Sequence, residues 1–194
     1  LFTTFGLSVG LGATRSCSIA SCGSIWKPAI TRKEDEGPSL ALTTRENMVV
    51  VSGSNARLLA TQLADSLGWE HHSLETRRFP DSEGYIRIPS EVIDAVRKEP
   101  VVLVSNTFPD AGIVETLLML EAINDVRRGN LENLRDIGPQ QLEDVGPGTL
   151  LAVPYFGYSR QDKRFKPGEA ISARAIGHLL ASRCDGIIVF DLHA

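Results

Sequence analysis

Two stretches near the end of this sequence carry residue types suited to phosphate and metal chemistry. The first is Arg160-Gln161-Asp162-Lys163-Arg164-Phe165, which follows the aromatic, glycine-punctuated run Pro154-Tyr155-Phe156-Gly157-Tyr158. Arginine grips phosphate oxygens through two parallel hydrogen bonds, and lysine supplies a mobile point charge. Gln161 suits a base edge or a sugar hydroxyl. A solvated charged loop has the same composition, but aromatics beside a glycine at a strand exit are costly to expose without a purpose. The second stretch is Asp191-Leu192-His193. Strand alternation puts residues two apart on one side, so Asp191 and His193 can reach one metal ion or its waters. Mg²⁺ takes only one or two protein ligands beside phosphate oxygens and water, so such a pair suffices. A capping Asp and a half-buried His satisfy the same spacing. Read together, the two stretches suggest a nucleotide–metal site.

Other positions carry weaker signals. Phe79, Asp81 and Glu83 alternate around a turn. Phe79 suits stacking on a flat base and the carboxylates suit an amino group, although a hairpin turn with solvent-facing acids fits equally. Ser52-Gly53-Ser54-Asn55 lies between a strand-like and a helix-like run, where backbone amides can hold an anion or form a helix cap and tight turn. His71, His72 and His178 suggest no chemistry. No G-x-x-x-x-G-K-[ST] loop and no G-x-G-x-x-G fingerprint occurs.

These residues must be positioned by the elements between them. From Met48 onward, strand-like and helix-like runs alternate. Strands are predicted over 48–51, 71–76, 84–88, 101–105, 150–153 and 187–190. Helices are predicted over 56–67, stopped by Gly68, over 113–126, and over Ser172–Ala181 with Ser172 as a possible cap. The 113–126 run is apolar on most faces and is expected to be well buried. Strands alternating with helices predict an α/β, doubly wound, mostly parallel sheet. In such sheets ligands bind beyond the carboxyl ends of the strands, which is where 154–165 and 191–193 fall. The acidic, Gly/Pro-containing stretch 129–148 is expected to be an exposed insertion.

The 194 residues carry a net charge of -4, with a pI of about 5.6. That balance argues against a general nucleic-acid or anionic-membrane binder. No apolar run approaches the roughly 20 residues that span a bilayer. The three cysteines, Cys17, Cys22 and Cys184, lack C-x-x-C spacing, so neither a disulfide framework nor a zinc site is expected. A reducing, cytoplasmic setting fits. Residues 1–47 show no sustained hydrophobic period, and up to Lys33 they contain basic but no acidic residues. They are expected to be a disordered extension or upstream translated sequence; an organelle transit peptide is the alternative. The expected domain is 48–194.

The motifs occur in an order that resembles the first half of a ribose-phosphate pyrophosphokinase, a phosphoribosyl diphosphate synthetase. The pattern has a strand ending in Ser-Gly, here Val51-Ser52-Gly53. A Phe-x-Asp-Gly-Glu turn and a Tyr-x-Arg-Ile strand follow, here Phe79 to Glu83 and Tyr85 to Ile88. Pro154 through Asp162 matches Pro-Tyr-x-x-Tyr-x-Arg-Gln-Asp, Ile171-Ser172-Ala173 begins the next helix, and Asp191-Leu192-His193 closes the set. The short loop 163–169 resembles the archaeal-type branch. This resemblance implies a type I phosphoribosyltransferase-like fold. It implies transfer of the diphosphoryl group of ATP to the 1-hydroxyl of ribose 5-phosphate, with Mg²⁺ as cofactor. It places Arg160, Gln161 and Asp162 against ATP, with Lys163, Arg164 and Phe165 adjoining. It places Mg²⁺ at Asp191 and His193. Phe79, Asp81 and Glu83 match residues that reach the adenine of a neighbouring subunit, which implies a homo-oligomer.

Three departures stand out. Ser82 occupies the usual glycine position of the turn. The 129–148 stretch is longer than the family pattern. The family's ribose 5-phosphate loop and its flexible loop with catalytic Lys and Arg come later than Ala194. The chain is therefore expected to be a catalytically incomplete fragment. A non-catalytic regulatory or oligomerising relative is the alternative expectation.

Overall fold

The computed structural model describes residues 48–129, 147–190 and 192, together with the backbone of two short strands nearer the amino terminus. In chain order the elements are β1 (Thr3–Phe5), β2 (Cys17–Ala20), β3 (Val49–Ser52), α1 (Arg57–Leu67), β4 (Glu70–Ser73), β5 (Glu75–Arg78), β6 (Gly84–Arg87), α2 (Ser90–Lys98), β7 (Val101–Val104), α3 (Asp110–Arg128), β8 (Thr149–Val153), α4 (Ser172–Ala181) and β9 (Gly186–Phe190).

Short β-branched and leucine runs make the central strands. Every residue of β3 and β7 is buried, as expected of parallel strands covered on both faces. The main sheet runs β1-β2-β9-β8-β7-β3-β4. The five strands β4, β3, β7, β8 and β9 are parallel, and β2 adds antiparallel to β9. The α/β, mostly parallel architecture expected from the alternation is therefore present. β1 and β2 fall within residues 1–47, where no element is predicted. At three and four residues they are too short to show a period.

Alternation sends successive side chains to opposite faces. Val49, Val51, Val101, Leu103, Leu151, Val153, Ile187 and Val189 form one core with Val92 and Val96 of α2, Met119, Leu120 and Ile123 of α3, and Leu180 of α4. Val50, Val102, Val104 and Ala152 form the other with Ala56, Ala60 and Ala64. The sheet is thus doubly wound. From β3 the chain crosses to β4 on one side, then to β7, β8 and β9 in turn on the other. The strand order reverses between β3 and β7, the point beyond whose carboxyl ends such sheets bind ligands.

Helix α1 meets the sheet mainly through alanines, with partly buried Leu63 packed beside them. Ala60 and Ala64 are buried, whereas Leu58 is 75% exposed and Leu59 and Leu67 are also exposed. Small side chains let the helix lie close to β3 and β4. Gly68 ends it in the left-handed conformation, φ 70°, as predicted. Helix α3 extends beyond 113–126 at both ends and buries one stripe, including Ile113, Thr116, Leu120 and Ile123. Within 113–126 only Val114 and Leu118 are exposed, so the run is well buried, as expected.

The predicted strand 71–76 is divided at buried Leu74. Its amide bonds to the Ser52 carbonyl at 2.8 Å, after which the chain leaves the sheet and forms the separate β5–β6 hairpin. Helix α2 is absent from the sequence expectations. Its signal is Val92 and Val96 one turn apart, both buried, with Glu91 in the first turn and Arg97 and Lys98 in the last. At the opposite, amino-terminal edge of the sheet, Arg127 donates to the carbonyls of Val96, Glu99 and Gly148 and to Thr149 Oγ1. One guanidinium so ties α2, α3 and β8 together. Of the expected insertion 129–148, residues 130–146 lie outside the described residues.

Candidate functional site

β8 ends at Val153, and the chain beyond it lies against the residues that follow β7. The last regular ladder bond runs from the Ser105 amide to the Ala152 carbonyl at 3.0 Å, and the Thr107 amide then reaches the Tyr155 carbonyl at 3.1 Å. Past the strand ends, side chains take over. Asn106 Oδ1 accepts the Tyr155 amide at 3.0 Å. Thr107 Oγ1 accepts the Gly157 amide at 2.7 Å. A Cβ on Gly157 would lie 2.3 Å from the Thr107 carbonyl oxygen, so only glycine permits this approach. Tyr158 adopts φ 66°, and its hydroxyl donates to Asp110 Oδ1 at 2.8 Å. That carboxylate acceptor, first among its causes, pushes the Tyr158 phenol above its usual range.

From this anchored base the segment 160–170 is exposed. Arg160 and Asp162 make no hydrogen bond or ion pair with any described residue. Gln161 is turned partly to structural use. Its amide bonds to the Tyr158 carbonyl and its carbonyl accepts the Ala173 amide, while its Oε1 accepts the Ser172 hydroxyl. Ser172 is therefore the first residue of α4 rather than its cap; Ile171 occupies the cap position without a side-chain bond. The Gln161 NH₂ has no described protein acceptor. Lys163 Nζ stands 5.5 Å from the centre of the Phe165 ring, and that ring is 76% exposed. Glu169 orders the tip: its carboxylate accepts the amides of Phe165 and Lys166 at 2.7 and 3.0 Å, and its carbonyl accepts Arg164 Nε at 2.7 Å. Pro167 and Gly168, φ 88°, sit inside a turn closed by Glu169 N on Lys166 O, the type II pattern.

Phe79, Asp81 and Glu83 occupy the tip of the β5–β6 hairpin. The Phe79 amide bonds to the Glu83 carbonyl and the Ser82 amide to the Phe79 carbonyl, both at 2.9 Å. Asp81 Oδ1 accepts the Glu83 amide at 3.1 Å. Ser82 sits at φ 75°, so the turn keeps the left-handed conformation that glycine adopts freely. Phe79 packs edge-on to Tyr85 with centroids 5.9 Å apart, and the Arg77 guanidinium lies near both rings. Among the described residues no hydrogen bond, ion pair or ring contact joins this hairpin tip to the 160–165 loop.

At the sheet reversal the Ser52–Asn55 turn has its own internal anion. The Ser54 amide and hydroxyl both donate to the Glu115 carboxylate. Asn55 and Asn106 bond reciprocally: Asn55 Nδ2 to Asn106 O, Asn106 N to Asn55 Oδ1, and Asn106 Nδ2 to Asn55 O, at 3.0 to 3.1 Å. Of the two readings open for this turn, the tight turn is the one formed, with the anion position taken from α3. Asn106, Thr107, Asp110, Glu115 and Glu169 are absent from the sequence expectations. A polar Ser105-Asn106-Thr107 run directly after an apolar strand was the available signal for two of them.

Asp191 and His193 lie outside the described residues. Among the described residues no group of three or more His, Cys, Asp or Glu side chains could hold a metal, and no helix is long and apolar enough to cross a membrane.

A family model described as the N-terminal domain of ribose phosphate pyrophosphokinase matches residues 48–129. The chain is similar to the ribose-phosphate pyrophosphokinase of Methanothermobacter thermautotrophicus, 37% identical over 147 residues, covering 75% of this chain and 44% of that one. It is also similar to those of Methanobrevibacter smithii, 33% identical over 75% of this chain and 42% of the relative, and Saccharolobus solfataricus, 37% identical over 69% and 39%. In fold it matches a phosphoribosylpyrophosphate synthetase from Mycobacterium smegmatis, with a TM-score of 0.52 and 24% identity over 71% of this chain and 39% of that one. The chain thus spans roughly two-fifths of the length of these relatives.

Proposed function

We propose, from the match of residues 48–129 to a model of the N-terminal domain of ribose phosphate pyrophosphokinase and from the similarity to enzymes of that name, that the whole protein transfers the diphosphoryl group of ATP to the 1-hydroxyl of ribose 5-phosphate. The products are phosphoribosyl diphosphate and AMP. The observation that carries this reading is the exposed 160–165 loop at the carboxyl end of β8. Arg160 there is left without a described acceptor, on a base held by Asn106, Thr107 and Asp110.

In this reading the sugar hydroxyl attacks the β-phosphorus in line as the bond to the AMP oxygen breaks. Charge stays spread over phosphate oxygens, so catalysis is mostly positioning and electrostatic stabilisation. Arg160 holds phosphate oxygens through its fork of donors, and Gln161 offers its NH₂, which has no acceptor among the described residues. Asp162, Lys163, Arg164 and Phe165 complete the ATP side of the loop. Phe79, Asp81 and Glu83 serve the adenine of a neighbouring subunit, which requires a homo-oligomer. The absence of described contacts between hairpin tip and loop within one chain is compatible with that arrangement. A carboxylate and an imidazole, Asp191 and His193, form a donor set suited to Mg²⁺ among phosphate oxygens. When bound, the ion supplies charge neutralisation. The chain by itself is proposed to be incomplete for the reaction.

AMP formation from ATP and Mg²⁺ by the whole protein, with and without ribose 5-phosphate, tests the proposal. Sugar-dependent AMP is the expected result. A folded protein that forms none would overturn it in favour of a regulatory relative.

A further inference from the structure

We propose that Asn106 and Thr107 are positioning residues that set the place of the nucleotide-binding loop relative to the sheet. The inference rests on the function proposed for that loop. Regular pairing between β7 and β8 ends at Val104 and Ala152. Beyond it, the side chains of two consecutive residues accept two amides of the facing chain, Tyr155 by Asn106 and Gly157 by Thr107. The Thr107 amide bonds between them to the Tyr155 carbonyl. The pair so extends a strand ladder, by side chains, into the segment that leads to Arg160.

Asn106 has no slack. Its amide, carbonyl, Nδ2 and Oδ1 are all engaged, three of them with Asn55. Thr107 is buried, and its carbonyl meets Gly157 at a distance that excludes a Cβ. Tyr155 and Gly157 are therefore referenced to β7 and, through Asn55, to β3. A loop whose base is fixed at two amides presents its cationic tip with less freedom to lose on binding. Neither residue touches the exposed 160–165 side chains, so both act through the loop backbone.

The test uses the whole protein. Thr107→Val removes the acceptor at nearly constant volume, and Thr107→Ser restores it. Thr107→Val is expected to raise the KM for ATP about tenfold, with the KM for ribose 5-phosphate within about twofold of wild type. Thr107→Ser should return the ATP KM to within about threefold of wild type. Hydrogen exchange at the Gly157 amide should quicken in Thr107→Val alone. Should Thr107→Val not fold, Asn106→Ala carries the same KM expectation. Unchanged ATP KM in an active variant, or equal shifts in both KM values, would overturn the inference while leaving the proposed function standing. A folded wild-type protein without sugar-dependent AMP formation would sink both.

Discussion

The Glu115 carboxylate accepts the Ser54 amide at 2.6 Å and the Ser54 hydroxyl at 2.7 and 2.9 Å. An acidic side chain from α3 thus sits over the turn that ends β3, so close that a Cβ on Gly53 would lie 2.3 Å from its Oε1. Hydrogen bonds to a charged acceptor contribute about 1.5–3 kcal/mol each. Glu115→Ala is expected to lower unfolding free energy by about 2–3 kcal/mol, since the two bonds share one partner and do not add fully. Urea denaturation checks this. A loss below about 0.5 kcal/mol, the range of ordinary surface changes, would reduce the contact to a surface accident.

Arg160 is a cation of the loop with no hydrogen-bond or ion-pair partner among the described residues. In the whole protein Arg160→Ala is expected to weaken ATP use, as kcat/KM, by about ten- to a hundredfold, the equivalent of one or two charge-assisted bonds. Folding should be unaffected, because no described residue accepts from it. Wild-type kinetics in that variant would remove Arg160 from the site.

Ser82 holds a left-handed backbone, φ 75°, at the tip between Asp81 and Glu83. A side chain costs about 1 kcal/mol there relative to glycine. Ser82→Gly should therefore raise stability slightly, by up to about 1 kcal/mol, with the loss of its greater unfolded-state entropy setting the limit. Thermal unfolding of the two proteins side by side decides it; a clear fall in midpoint would contradict the strain.

His71 bridges Ser52 Oγ at 2.9 Å and Thr61 Oγ1 at 3.1 Å. Burial, then the charges of His72 and Arg57, hold its pKa below the usual 6.5, against an opposing pull from Asp65. The unfolded chain therefore binds the proton more readily than the folded one. Stability is full above about pH 6.5 and falls as pH drops below it, towards the lowered folded value. Urea midpoints at pH 7.5 and 5.5 should differ, and His71→Gln should shrink the difference. An undiminished difference would move the effect to other groups.

Cys184 lies against Leu180, its Sγ 3.4 Å from the Leu180 carbonyl oxygen. Burial, reinforced by Asp185, pushes the thiol up to about 12. Thiolate is the reactive form, so almost none is present at pH 8. Peptide mapping after iodoacetamide treatment at pH 8 should find Cys184 unlabelled in the folded protein and labelled in urea. Rapid native labelling would mean that the α4–β9 corner opens.

Much of the fold was legible in the residues because local patterns were strong. The apolar runs in β3, β7, β8 and β9 and the glycine after α1 mark their elements without reference to anything distant. The Arg160-Gln161-Asp162 cluster likewise announced itself by composition. α2 escaped because only two valines one turn apart carry its apolar stripe, and β1 and β2 because they are too short for any period.

What only the tertiary structure decided are relations between residues far apart in the chain. Leucines at helical spacing made α1 foreseeable, but packing turned its alanines to the sheet, because small side chains allow close approach. Gln161 looked like a ligand contact and also serves the start of α4. Glu115 at Ser54 and Thr107 at Gly157 are pairs separated by 61 and 50 positions, and no local spacing encodes them. Sequence by itself marked β3, β7, β8, β9 and α1 by their local patterns, and the cationic composition of the 160–165 loop. The parallel register that sets β8 beside β7 decided which backbone that loop rests on, since the partners of a buried amide are chosen by the sheet and not by its neighbours in the chain.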